Sequence, residues 1–198
     1  MMNGIDTIIQ RLNTDAKAET DALLEKARQE GAVITSEMEL FFDLCPAPVI
    51  AVTGSDGKTT TTTVIAEMLR AEGKTVHLGG NIGRALLPEI ERIRPEDFAV
   101  VELSSFQLIS MRKSPKVAVV TNVAPNHLDM HKDMQEYIDA KKNIFLHQNA
   151  FSRTVLNLDN NITARRFFGR GARSGRILQP EAGARKRCLS ECAGNHLL

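Results

Sequence analysis

The sequence has no tryptophan and one tyrosine in 198 residues. Single-stranded nucleic acid needs aromatic faces to stack on, so that class of partner is not expected. The cysteines, Cys45, Cys188 and Cys192, are few and odd in number, which argues against a disulfide framework and for a reducing, cytoplasmic setting. No apolar run reaches the length that spans a bilayer and no secretory leader pattern is present, so membrane insertion is not expected either. Charge of one sign is not in surplus: 25 Lys and Arg against 24 Asp and Glu leave a formal +1, too little to draw in nucleic acid.

That balance hides a local asymmetry. Residues 1–44 carry nine acidic and four basic side chains, whereas 165–187 carry eight basic and one acidic. Three pieces follow from this: 1–31, 32–164 and 165–198. In the first, Ile5, Ile9, Leu12, Ala16, Leu23 and Ala27 recur at helical spacing, predicting one amphipathic helix over 5–30 with Gly31 as its stop. Its narrow, alanine-rich stripe suits a helix partner for residues 5–30. The stretch NGIDTIIQRLNTDAKAETDALLEKARQEG resembles the N-terminal stalk helix of V-type ATPase E subunits, and an ordinary solvated helix explains the same pattern. The last piece is rich in Gly, Arg and Ala without apolar periodicity and is expected to be disordered. Cys188, Cys192 and His196 there have metal-like spacing but lack an evident fourth ligand, so they read as incidental.

The middle piece alternates. VIAVT (49–53), TVHL (75–78), FAVVEL (98–103), KVAVVTNV (116–123) and TVLNL (154–158) are short apolar runs separated by helical material, ALLPEIERI included. The predicted fold class is α/β, a parallel sheet with helices on both faces, preceded by one amphipathic helix. Sites in such sheets lie beyond the carboxyl ends of the strands.

At the first such end stands GSDGKT, followed by further threonines. Gly54 and Gly57 permit the close approach a phosphate cradle requires, several backbone N–H groups of the loop and helix start point at one spot, and Ser55 and Asp56 are counted with the cradle. Lys58 supplies a point charge for β- and γ-phosphates, and the hydroxyl of Thr59 or Thr60 a ligand for Mg²⁺. Only two residues separate the glycines, where the usual phosphate loop has four. Glu102 ends a buried strand beside the loop, where a carboxylate can hold Mg²⁺ with Thr59. Asn81 lies in the strand-end turn GGNIG, and either a ligand contact or a simple Asn-Gly turn accounts for it. His127, in NHLD, reads as a second metal or substrate contact, while His131 carries no comparable signal.

The short loop resembles the ATP loop GTxGKT of the Mur ligases and folylpolyglutamate synthetases, with Ser55 where threonine is usual. Over 32–164 the resemblance is to the central domain of the D-glutamate-adding Mur ligases. It rests on SEMELFFDLCPAPVIAVTGSDGKTT, GGNIG, VELSSFQL, TNVAPNHLDMH and YIDAKKNIF. It implies an ATP-dependent amide ligase of peptidoglycan synthesis. The carboxylate of UDP-N-acetylmuramoyl-L-alanine is activated as an acyl phosphate, and the amine of D-glutamate then displaces phosphate. By the same resemblance Asn81 and Ser104 contact the muramoyl substrate. Lys141, rather than Lys142, is carbamylated and holds a second Mg²⁺ with His127; by its own pattern Lys141 reads as a solvated lysine. Such ligases have further domains for UDP and D-glutamate, so an incomplete copy, binding Mg-ATP weakly and forming no product, is expected. The alternative is a non-catalytic helical partner of a V-type ATPase stalk.

Overall fold

The computed structural model describes residues 4–32, 35–125, 131–167, 175–179 and 187–190. The chain divides into two compact units, Met1–Thr35 and a second that begins at Ser36, rather than at the expected boundary after residue 31. In the first, Gly4–Gln29 form α1. It ends where Gly31 N–H donates to the Arg28 carbonyl and Ala32 N–H to the Ala27 carbonyl, the paired bonds of a Schellman stop. Leu23 is 64% exposed.

The second unit opens with α2 (Glu37–Leu44), capped by the Ser36 hydroxyl, which accepts from Glu39 N–H. Then follow β1 (Val49–Thr53), α3 (Lys58–Ala71), β2 (Val76–Gly80), a 3₁₀ helix (Leu87–Arg92), β3 (Phe98–Glu102) and the short α4 (Ser105–Leu108). β4 (Val117–Val120), α5 (Met134–Leu146), β5 (Arg153–Asn157), a π-helical turn (Thr163–Phe167), β6 (Gly175–Gln179) and β7 (Arg187–Ser190) complete it. ALLPEIERI, expected to be helical, is a 3₁₀ rather than an α-helix. Pro88 lies in its first turn and cannot donate a backbone bond.

The seven strands form one sheet in the order β2-β3-β1-β4-β5-β6-β7, parallel through β6 with β7 antiparallel. β6 and β7 correct the expectation of a structureless 165–198 at those two segments. The arginine-rich sequence around them masks strands that are only four and five residues long. Cys192 and His196 lie outside the described residues.

Two layers follow from the connections. Right-handed crossovers put α3 on one face and α4 and α5 on the other, because the chain moves in opposite directions along the sheet after β1 and after β3. The larger core lies on the second face. There Phe41 of α2 and Tyr137, Ile144 and Phe145 of α5 pack against Ala51, Val101, Ala118 and Leu156. On the other face Val52 and Val100 are buried with Ala66 of α3. The reversal of direction makes the carboxyl ends of β1 and β3 the switch point, the crevice position at which sheets of this kind bind ligands.

Phe41 is 0% exposed and is the ring by which α2 seals the larger core. Phe41→Ala should lower unfolding free energy by about 3–5 kcal/mol, read as a drop in the denaturant midpoint at unchanged slope. A smaller loss would mean that α2 is not part of the cooperative unit.

Candidate functional site

The loop from β1 to α3 forms the centre of the crevice. Gly57 is the N-cap of α3, with φ +74 and no side chain to cover the helix end. The first intrahelical donor is Thr61, to the Gly57 carbonyl, so the N–H groups of Lys58, Thr59 and Thr60 face outward as helix geometry requires. No acidic residue occupies that first turn. The arrangement favours an anion. Gly54 is needed for a different reason. A Cβ there would lie 1.9 Å from the Thr121 Oγ1 and 3.1 Å from the Asn122 carbonyl oxygen.

Lys58 curls back, its Nζ donating to the Ser55 carbonyl at 3.0 Å. Glu102, 1% exposed at the end of β3, accepts from the Thr59 hydroxyl at 2.7 Å and from the Asn81 carboxamide at 3.1 Å. Asn81 is further fixed by its N–H, which donates to the Glu102 carbonyl at 2.8 Å. Both side-chain donors to this buried carboxylate are neutral. A carboxylate and a hydroxyl are hard oxygen donors of the type Mg²⁺ takes, and they fit that ion. It is Thr59 that reaches the carboxylate, and Thr60 is exposed.

Lys141 comes from the opposite side, on α5. Its Nζ donates to the Gly54 carbonyl at 2.8 Å, lies 3.5 Å from the Thr53 hydroxyl and sits 4.6 Å over the Tyr137 ring. Burial, helped by the charge of Lys58 and opposed by Asp56, pushes it from 10.5 to about 7. Lys142 instead faces outward to an ion pair with Asp139 at 2.7 Å.

The structure therefore brings Gly54, Ser55, Asp56, Gly57, Lys58, Thr59, Asn81, Glu102 and Lys141 to one crevice. Ser104 stands just beyond β3 as the N-cap of α4, in a capping box with Gln107. His127 lies outside the described residues. Among those described, no three His, Cys, Asp or Glu side chains gather as a metal group. No helix among them is long and apolar enough to cross a membrane.

Sequence reasoning missed three residues. The Tyr137 hydroxyl bonds the Ser55 hydroxyl at 2.9 Å, and Tyr137 stands one helical turn before Lys141, a spacing that could have flagged it. His131 is buried, stacked on Phe106 with ring centroids 5.1 Å apart, and bonds the Ser105 hydroxyl at 2.9 Å. Asn122 binds the loop through its carboxamide. The last two carry no local signal.

Comparison with known proteins places the chain in a family. Residues 52–176 match the model of the Mur ligase middle domain, past residue 164 and into β6. Over 143 residues the chain is 64% identical to the UDP-N-acetylmuramoylalanine–D-glutamate ligase of Acetivibrio thermocellus, covering 72% of this chain and 30% of that protein. To the ligase of the same name from Clostridium acetobutylicum it is 52% identical over 162 residues, covering 82% and 34%. The chain thus spans about a third of the length of these curated relatives. Among solved structures, a MurF ligase from Thermotoga maritima in complex with ADP is similar with a TM-score of 0.57 at 19% identity, covering 75% of this chain and 38% of that one. A UDP-N-acetylmuramate:L-alanyl-gamma-D-glutamyl-meso-diaminopimelate ligase from Neisseria meningitides gives 0.58 at 18%, covering 81% and 57%. At those identities the likeness is one of fold.

The lowered Lys141 has a consequence for stability. Between its folded value of about 7 and its ordinary 10.5, the unfolded chain holds a proton that the folded chain has released, so stability rises with pH across that window. Below about 7 the cost of the buried ammonium is felt in full. Lys141→Met should therefore raise the unfolding midpoint more at about pH 6 than at about pH 10. An equal gain at both would show that Lys141 titrates like an exposed lysine.

Proposed function

Because the chain belongs to the Mur ligase family through its middle domain, we propose that this unit binds ATP and activates a carboxylate in D-glutamate addition to UDP-N-acetylmuramoyl-L-alanine. The observation that carries the reading is the buried Glu102 carboxylate bonded to Thr59 of the phosphate loop. A turn with no ligand gives no reason to bury a carboxylate against the hydroxyl of the loop's own threonine. The identity of 64% to an enzyme named for this reaction supports the choice of substrates.

In this reading the amides of Gly57 to Thr60 receive the phosphates, and Gly54, Ser55 and Asp56 shape the loop. Lys58 leaves the Ser55 carbonyl and pairs with the β- and γ-phosphates, where its charge offsets the charge that builds up on transfer. Thr59 and Glu102 would hold one Mg²⁺, with His127 and Lys141 at a second. Bound there, Mg²⁺ neutralises phosphate charge. Asn81 and Ser104 face the muramoyl substrate. Its carboxylate oxygen bonds the γ-phosphorus as the bond to ADP breaks, and the D-glutamate amine then attacks the acyl carbon, expelling phosphate and losing a proton.

Lys141 serves as a metal ligand only after changing character. Near neutral pH much of it is free amine, which can attack carbon dioxide to give a carbamate and release a proton. The nitrogen keeps one hydrogen, enough to retain the bond to the Gly54 carbonyl.

Two measurements test the proposal. In a titration with ADP or ATP, Lys58→Ala should lose most affinity, and Lys58→Arg should fail too, because the planar guanidinium is larger than the ammonium the loop accommodates. In the same assay Glu102→Gln should lose affinity with Mg²⁺ and little without it. Unchanged affinity in both Lys58 variants would reduce the loop to a turn. For the substrates, residues 36–164 should replace the matching segment of the Acetivibrio relative and release phosphate only when both UDP-N-acetylmuramoyl-L-alanine and D-glutamate are present. Release without D-glutamate would assign this segment to another acceptor.

A further inference from the structure

The loop poses a physical problem: two residues stand between its glycines, where four usually form the cradle. What braces it lies behind it. Asn122, just past β4, turns its carboxamide onto the loop. Its Oδ1 accepts from Ser55 N–H at 3.1 Å and from Asp56 N–H at 3.0 Å, and its Nδ2 donates to the Asp56 carbonyl at 3.2 Å. Its own carbonyl accepts from Ser55 N–H at 3.0 Å. Beside it the Thr121 hydroxyl donates to the Asp56 carbonyl at 2.7 Å. A carboxamide presents the same planar donor and acceptor as a peptide group. Asn122 thus gives the loop the hydrogen-bonding that additional loop residues would give.

We propose that Asn122 is a positioning residue for the phosphate cradle: it binds the Ser55 and Asp56 peptide groups from behind and so holds the Gly57–Thr60 amides toward the anion. The inference rests on the reading of this loop as a nucleotide site. It adds a division of labour within the loop. The N–H groups of Ser55 and Asp56 are committed to Asn122 and withdrawn from the ligand, so the phosphates are met only by the helix end and Lys58. Asn122 acts on the ligand entirely through the loop.

The test combines ADP titration, well below each variant's unfolding midpoint, with amide hydrogen exchange on the intact chain. Asn122→Ala removes all three carboxamide bonds. It should weaken ADP binding by about tenfold or more, the scale of one or two net hydrogen bonds. Exchange should quicken at Asp56, whereas Ser55 N–H keeps its bond to the main-chain carbonyl of residue 122 and should change little. Asn122→Asp keeps both accepting bonds, so those amides should stay protected. It loses the donor and places a carboxylate behind the anion, so ADP binding should weaken most at low salt. Lys58→Ala should lose ADP with Ser55 and Asp56 still protected. A purely structural role would lower the unfolding midpoint of Asn122→Ala and leave the affinity of its folded form unchanged, which overturns the proposal. Should that variant not fold, unaltered ADP affinity of Asn122→Asp at low salt overturns it instead. Unchanged binding in Lys58→Ala would bring down the nucleotide reading itself, a result distinct from either.

Discussion

β1 is hydrogen-bonded to β3 on one side and β4 on the other, and this double parallel pairing sets the geometry of the site. The register places Val52 opposite Glu102, and Thr53 opposite Val120. Because the three strands run the same way, their carboxyl ends emerge together, bringing the loop, the carboxylate and the Thr121–Asn122 pair to one edge. A slip of one residue would turn Glu102 to the other face of the sheet. It would also exchange Ala51 and Val101 of the larger core for Val52 and Val100, which α3 covers. The apolar pattern on both faces thus holds the polar groups in place, and the site derives its precision from the core.

The charges in the crevice are arranged so that neither sign is satisfied alone. Lys58, Lys141 and the α3 helix end form a positive side, and the repulsion there is visible in Lys141, which Lys58 helps to discharge. Glu102 forms a negative point whose side-chain hydrogen bonds come from the neutral Thr59 and Asn81. A free anion would meet the carboxylate, and a free cation would meet the lysine. A phosphate carrying its divalent cation satisfies both at once, and burial strengthens the preference because the local dielectric is low. This is the physical basis of the proposed binding of a nucleotide together with a divalent cation.

Much of the fold was legible because its signals are contiguous. VIAVT and FAVVE are β-branched runs of strand length, and GSDGKT follows the first of them, so strand, loop and helix could be read in order. The differences have local causes. The expected run 116–123 ends as β4 at Val120; beyond it Thr121 N–H still donates to the Thr53 carbonyl, while the side chains of Thr121 and Asn122 turn onto the loop. β6 and β7 are short and lie among Arg and Gly, so composition concealed them. His131 carried no signal in the sequence because its partners, Ser105 and Phe106, are some 25 residues away.

Lys141 and Lys142 show where such reading stops and why. Neighbouring lysines on a helix are chemically alike, and each taken alone reads as solvated. Their fates differ because successive residues point about 100° apart around a helix. Lys141 shares a face with Tyr137 and is carried against the sheet, onto the Gly54 carbonyl, whereas Lys142 turns to Asp139 at the surface. Nothing in the lysine decides this. The apolar residues Ile138, Ile144 and Phe145 fix which side of α5 faces the core, and the buried face happens to end at the loop after β1. A lysine enforced there by packing loses hydration, which pulls it down to about 7, and the same packing that makes it costly to stability makes it reactive.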